Sequence, residues 1–347
     1  MNTRIVTLPE FTLECGRTLR DVPVAYQSWG RLNERGDNAV LVCHALTGNS
    51  DVEDWWPELL GPGRAFDTDR DFVVCANVPG SPYGTVSPLT MNPEAGKSYG
   101  PDFPPVTLRD VVRLHKGLLD EIGVRQLRYA IGGSMGGMQV LEWAFFGDFV
   151  RGLVPIGVGG RHSSWCIAWS WTQRHAIELD PKFKGGRYAP DEGPDIGLGL
   201  ARMIAMITYR SFVSFQERFG RARPDGDAPF DIASYLSHQG DKLVERFDAN
   251  CYLSLMHTMD THDMARDRGN YRAVLSRVVQ PALVIGIDSD LLYPLDEQRE
   301  LAVGIPNAEL SVLEAAHGHD SFLIERDEVN ERVVDWRRRV LDAGSPV

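Results

Sequence analysis

A chain of 347 residues, 43% hydrophobic and 24% charged, has ordinary globular composition and can bury a large core. Its 48 acidic residues outnumber 36 basic ones, for a net charge of -12, which argues against a nucleic-acid partner because no excess of cations could neutralise phosphates. The amino terminus lacks an apolar stretch of signal-peptide length, and no run of about 18 apolar residues occurs, so a soluble cytoplasmic protein without a membrane partner is expected.

The first forty residues alternate short apolar runs with Gly and polar breaks, a pattern of antiparallel strands. Residues 39–44 form a continuous apolar run, as in a strand buried on both faces, and end in the loop His44-Ala45-Leu46-Thr47-Gly48. A second such strand at 72–76 enters a Pro/Gly/Ser-rich connection reaching about residue 105, long enough to suggest that it shapes a site. Thr107 reads as an N-cap, the apolar positions from Val111 to Ile122 recur at helical spacing, and Gly123 closes that helix. Residues 127–131 then form a strand that delivers Gly132-Gly133-Ser134-Met135-Gly136, and a helix leaves at 139–144. This is the G-x-S-x-G nucleophile elbow: the serine sits on a tight strand-to-helix turn, and a Cβ at Gly132 or Gly136 would strike a neighbouring element.

After a strand at 153–158 the pattern turns helical. Residues 163–271 read as a helical lid inserted into an α/β core made of 1–162 and 272–347. Within the lid Leu200, Met203, Ile204 and Ile207 make an apolar stripe, and Arg202 and Tyr209, seven residues apart, fall within about 20° of each other on one helix face. The sheet resumes at 282–287, followed by Asp288-Ser289-Asp290. A last strand at 308–313 leads to His317-Gly318-His319-Asp320, and 322–341 reads as one charged amphipathic helix. The five cysteines (15, 43, 75, 166, 251) are odd in number and lack C-x-x-C spacing, so neither disulfides nor a metal site is expected.

Serine, aspartate and histidine at successive strand ends reproduce the order of the α/β-hydrolase triad, and the fold class expected is a mostly parallel sheet flanked by helices. An unassisted serine is a weak nucleophile. An imidazole must take its proton and a carboxylate must orient the imidazole. Spacing alone leaves Asp288 beside Asp290 and His317 beside His319. The backbone N–H groups of Met135 and Leu46 are the expected oxyanion donors, and His44, misplaced in chain order for the base, is assigned a structural role.

Taken with the segments 81–93, Leu200-Ala201-Arg202, Thr208-Tyr209-Arg210, Ser289-Asp290 and Gly318-His319-Asp320, the elbow resembles the homoserine O-acetyltransferases of methionine biosynthesis over nearly the whole chain. The resemblance implies a ping-pong acetyl transfer from acetyl-CoA, as co-substrate, to the γ-hydroxyl of L-homoserine through acetyl-Ser134. No cofactor would stay bound, and the enzyme would be a homodimer. It implies His319 as the base and Asp290 as its partner, Arg202 on the homoserine carboxylate, and Asp320 with Tyr209 on the ammonium. Leu292 stands where succinyl-CoA users carry arginine, which favours acetyl. Rivals are a homoserine succinyltransferase, a serine acyltransferase and a plain esterase. For the CoA phosphates, Arg210, Arg218, Arg221 and Arg223 are candidates.

Overall fold

The computed structural model describes residues 3–224, 226 and 228–343. Strands β1 (Arg4–Thr12) and β2 (Thr18–Gly30) pair antiparallel, as the alternation requires. β3 (Ala39–Cys43) is buried at every position, and helix α1 (Val52–Trp55) and the fully buried β4 (Phe72–Ala76) follow it. The long connection after β4 contains a small hairpin, β5 (Met91–Asn92) with β6 (Lys97–Ser98). It also satisfies its own polar groups: Gly80 N donates to Val86 O at 2.8 Å, and Thr85 Oγ1 accepts from Ala25 N at 3.0 Å. That satisfaction is what lets Thr85 and Ser87 be buried in an irregular segment, whereas Ser81 Oγ is buried without a hydrogen-bond partner.

Helix α2 (Leu108–Glu121) starts on a reciprocal capping box between Thr107 and Asp110, and the chain turns away at Gly123 with φ +87°. β7 (Leu127–Gly133) feeds α3 (Met135–Trp143), and β8 (Leu153–Ile156) follows. Five helices then occur in succession: α4 (Ser164–Glu178), α5 (Asp195–Tyr209), α6 (Phe212–Phe219), α7 (Asp231–Val244) and α8 (Ala249–Asp260). The short α9 (Tyr271–Leu275) returns the chain to β9 (Ala282–Ile287), and α10 (Leu295–Gly304) crosses to β10 (Ala308–Leu313). The chain closes with α11 (Ser321–Ile324) and α12 (Arg326–Trp336).

The main sheet has the order β1-β2-β4-β3-β7-β8-β9-β10 and is parallel from β4 onward. From β3 the chain goes first to β4 on one side and later to β7 on the other. The strand order therefore reverses between β3 and β7, and a crevice opens beyond their carboxyl ends. The loop 44–48 and Ser134 leave the sheet at those two ends.

The apolar stripe on α5 lies partly in solvent: Leu200 and Ile207 are 46% and 48% exposed and Met203 and Ile204 half-buried, while Leu198, Ala201, Ala205 and Met206 are buried. Small residues decide this, because Gly199 meets Gly240 of α7 backbone to backbone, so close that a Cβ on Gly240 would lie 3.0 Å from the Gly199 carbonyl. One expectation is corrected: the closing segment 322–341, read as one helix, is not one. It breaks at Glu325 (φ -84°, ψ 51°), and residues Arg337–Leu341 widen into a π turn that brings both Arg337 and Leu341 inward. Arg337 there pairs with the fully buried Asp71 at 2.7 Å, and Arg128 holds the same carboxylate at 2.9 Å.

Candidate active site

Ser134 is the sharpest feature of the backbone. At φ 58° and ψ -125° it occupies a conformation that costs a non-glycine residue about 1–3 kcal/mol, held by Ser134 N donating to Ile156 O at 2.9 Å and by Met138 N donating to Ser134 O. The two flanking glycines are required by close approach. A Cβ on Gly132 would stand 2.5 Å from the Cys43 carbonyl oxygen, and one on Gly136 would stand 2.1 Å from it. The end of β3 is thereby pressed against the elbow, which carries the loop after β3 towards the serine. Among the described residues, no backbone carbonyl or side chain accepts from the N–H of Leu46, and Leu46 lines the same cavity as Ser134.

The structure separates the paired candidates. Asp290 is buried: its Oδ1 accepts from the N–H groups of Leu292 and Tyr293 at 2.8 and 2.9 Å, and its Oδ2 lies 2.6 Å from His319 Nδ1. Asp288 is exposed and caps the Ala315 N–H. His317 sits 3.5 Å from Glu325 at the surface. His319 is 2% exposed, and its Nε2 is buried without a hydrogen-bond partner. Its ring packs against Tyr209 and Tyr293, with centroids 5.8 and 5.2 Å away, and both tyrosines line the cavity at Ser134. Burial alone would lower the His319 pKa. The charge and hydrogen bond of Asp290, with the charge of Asp320, outweigh it and hold the imidazole above its ordinary value.

His44 is the structural histidine anticipated. Nδ1–H donates to Ala45 O at 2.9 Å, Nε2 accepts from Val78 N at 3.0 Å, and burial pushes its pKa down to about 4.

Arg202 and Tyr209 do share a face, with the guanidinium 5.6 Å from the ring centroid. Arg202 lines a cavity of about 330 Å³ that runs along the loop 45–49 and also includes Trp55 and Arg246. Asp320 is held by Arg210, with Nε 3.3 Å from its carboxylate. Burial raises the Asp320 pKa, and Arg210, His319 and Arg202 oppose that rise. Arg210 therefore faces inward, onto Asp320. Arg218, Arg221 and Arg223 stack on Phe219, Tyr235 and Phe230, away from both cavities.

Sequence reasoning missed Arg246, which donates to Thr47 O at 2.8 Å and to the Tyr83 hydroxyl and so ties the helical segment to the loop after β3. It also missed His162, which joins Tyr293 and Ser170 in a buried hydrogen-bonded row beside the serine. These side chains come from helices and loops far apart in the chain, with no local motif to announce them. The long loop 78–105 supplies Tyr83 as a support and contributes no residue to the wall of the serine cavity. Among the described residues no cluster of metal-ligating side chains occurs, and no single helix is long and apolar enough to cross a membrane.

The family model for the alpha/beta hydrolase fold matches residues 38–325. The chain is 59% identical to the homoserine O-acetyltransferase of Salinibacter ruber, across 97% of this chain and 98% of that protein. Among solved structures it superposes on a homoserine O-acetyltransferase from Bacillus anthracis with a TM-score of 0.90 and 25% identity, covering 96% of each chain. An acetylester hydrolase from Corynebacterium glutamicum gives 0.86 and 26%, covering 96% of this chain and 95% of that one.

Proposed function

The chain belongs to the homoserine O-acetyltransferase family, built on the α/β-hydrolase fold, and from that premise we propose a Ser134–His319–Asp290 triad that moves acetyl from acetyl-CoA to L-homoserine. The observation that carries it is His319 fixed by Asp290 at 2.6 Å, its other ring nitrogen buried and unpaired, against the tyrosines that wall the serine cavity.

In the first half-reaction Ser134 Oγ attacks the thioester carbonyl while His319 Nε2 takes its proton. The N–H groups of Leu46 and Met135 receive the oxyanion, and collapse expels the CoA sulfur, which takes the proton back from His319. In the second, His319 removes the proton of the homoserine γ-hydroxyl, the alkoxide attacks acetyl-Ser134, and Ser134 leaves with that proton. O-Acetylhomoserine, the activated intermediate of the methionine route, is the product.

Arg202 suits the acceptor carboxylate because a planar fork of donors can engage both oxygens, and Asp320 suits its ammonium. The helical segment 163–271 acts as a lid over this site. Shielding matters because water would otherwise take the acyl group, as it does in an ester hydrolase. An exposed apolar strip on α4 to α6, with Trp171, Leu200, Ile207 and Phe212 between 46% and 76% exposed, supports a homodimer joined through the lid. Sedimentation of Leu200→Glu/Ile207→Glu as a monomer would bear this out, and an unchanged mass would end it.

The test of the function is a rate matrix of acetyl-CoA and succinyl-CoA against homoserine, serine and water. Acetyl-CoA with homoserine is expected to dominate, and Ser134→Ala to lose several orders of magnitude in CoA release. Thiol release that homoserine fails to accelerate would favour the esterase reading instead.

A further inference from the structure

Two cavities meet at the oxyanion loop. The one along residues 45–49 measures about 330 Å³, and the exposed Asp54 and Arg246 form part of its wall, so it is the side through which CoA and acceptor can come and go. The other measures only about 20 Å³, contains Ser134 and Leu46, and has no exposed residue in its lining. Room for one water-sized group takes roughly 10–15 Å³. The narrow cavity therefore takes one methyl-sized group and little more. We propose that this narrow cavity receives the tail of the acyl group on Ser134, and that Met256 and Met259 of α8, with Trp169 of α4, close it at two carbons.

The inference rests on Ser134 being the acyl carrier and adds how chain length is read. Chemistry as well as size supports it. A zwitterionic acceptor would not enter, because no side chain in the lining is charged near neutrality. His162 belongs to that lining and is pushed down to about 3, chiefly by burial, with His262 and Arg174 acting in the same direction. Most polar side chains of the wall are already engaged: His162 with Tyr293 and Ser170, and Gln173 with the Tyr252 hydroxyl at 2.6 Å and with Trp169 O at 3.2 Å. The Tyr209 hydroxyl is left to donate, but the wall offers no cation to hold a carboxylate at the end of a longer chain. The two methionines are buried at 1% and 7%, so their side chains fill the space that a longer acyl chain would need.

p-Nitrophenyl acetate, propionate and butyrate test this without CoA or homoserine, since the burst of p-nitrophenolate reports acylation of Ser134 alone. For the natural sequence the burst rate constant should fall about tenfold or more with each added methylene, the range in which one methylene is discriminated by a tight apolar pocket. In Met256→Ala and Met259→Ala, examined separately, the butyrate-to-acetate ratio should rise at least about tenfold. The ratio is internal to each variant, so loss of folded protein does not imitate the effect. If the unaltered chain takes butyrate within threefold of acetate, or if both folded variants keep its ratio, the pocket assignment is overturned while the acyl-serine reading stands. Absence of a burst with every ester would overturn both.

Discussion

Replacing Gly136 by alanine would probe how the elbow and the oxyanion loop are held together. The added Cβ would lie 2.1 Å from the Cys43 carbonyl oxygen and 2.9 Å from its carbon, where real contacts do not fall below 3.0 Å, so β3 and the elbow must separate by at least about 0.9 Å. Flexible side chains cannot absorb this, since the Cys43 carbonyl oxygen and carbon are backbone atoms of a strand buried on both faces. Forced repacking of that kind costs about 1–3 kcal/mol of stability. The loop leaving Cys43 carries Leu46, and a donor displaced by about 0.9 Å is outside the roughly 0.5 Å within which such constellations must be held. Loss of one oxyanion donor costs about 2.7–4 kcal/mol, a 10²–10³-fold slower acylation. The assay is the burst of p-nitrophenolate from p-nitrophenyl acetate, with thermal unfolding in parallel and Gly193→Ala, whose Cβ would have 3.6 Å of clearance, as the control. A Gly136→Ala protein with the original acylation rate and unfolding temperature would refute the reasoning.

Because Asp290 raises the His319 pKa and the base must be neutral, the acid limb of kcat/KM is expected above the ordinary histidine value of 6.5, with activity lost as pH falls through it. Asp290→Asn should move that limb to lower pH and reduce kcat by about 10⁴, as in other triads; a pH–rate profile with an unmoved limb would contradict the pairing. Arg202→Lys should raise KM for homoserine, with a loss of about 1.5–3 kcal/mol in kcat/KM, while leaving the ester burst intact. Asp71→Ala leaves Arg337, 4% exposed, without its carboxylate, and should cost about 3–5 kcal/mol in urea unfolding with little change in KM.

Residues 282–287 announced themselves as a strand by an unbroken apolar run, buried at every position, whereas 308–313, the half-buried edge strand, was legible from apolar residues alternating with Glu309 and Ser311; both are strands over those bounds. Helix α2 was legible from its cap and closing glycine. The crossover helix α10 was not, because only Leu295 and a few later apolar residues mark it, although two parallel strands in succession demand a crossover and Pro294 with Asp296 and Glu297 supplies a start. Which face of α5 is buried was not legible, because apolar residues signal a face without saying which neighbour covers it. Here glycine-to-glycine contact decided the packing, and the larger side chains were left outside. At the site, the elbow and the strand-end acids were visible as motifs. Spacing alone left Asp290 beside Asp288 and the family resemblance named Asp290; the physical difference between them, two backbone N–H groups converging on Asp290, exists only once the turn is formed.

The loop bearing His319 is fastened to the helical segment as well as to the turn after β9. Gly318, at φ +72°, lies so close to the junction of α5 and α6 that a Cβ would stand 2.7 Å from the Arg210 and Ser211 backbone. The Ser211 hydroxyl donates to Ala316 O, and Arg210 reaches Asp320. An outward swing of that helical segment as a rigid body would therefore drag the His319 imidazole with it, and hydrogen exchange at the α5–α6 junction should be as slow as at the strands beneath it.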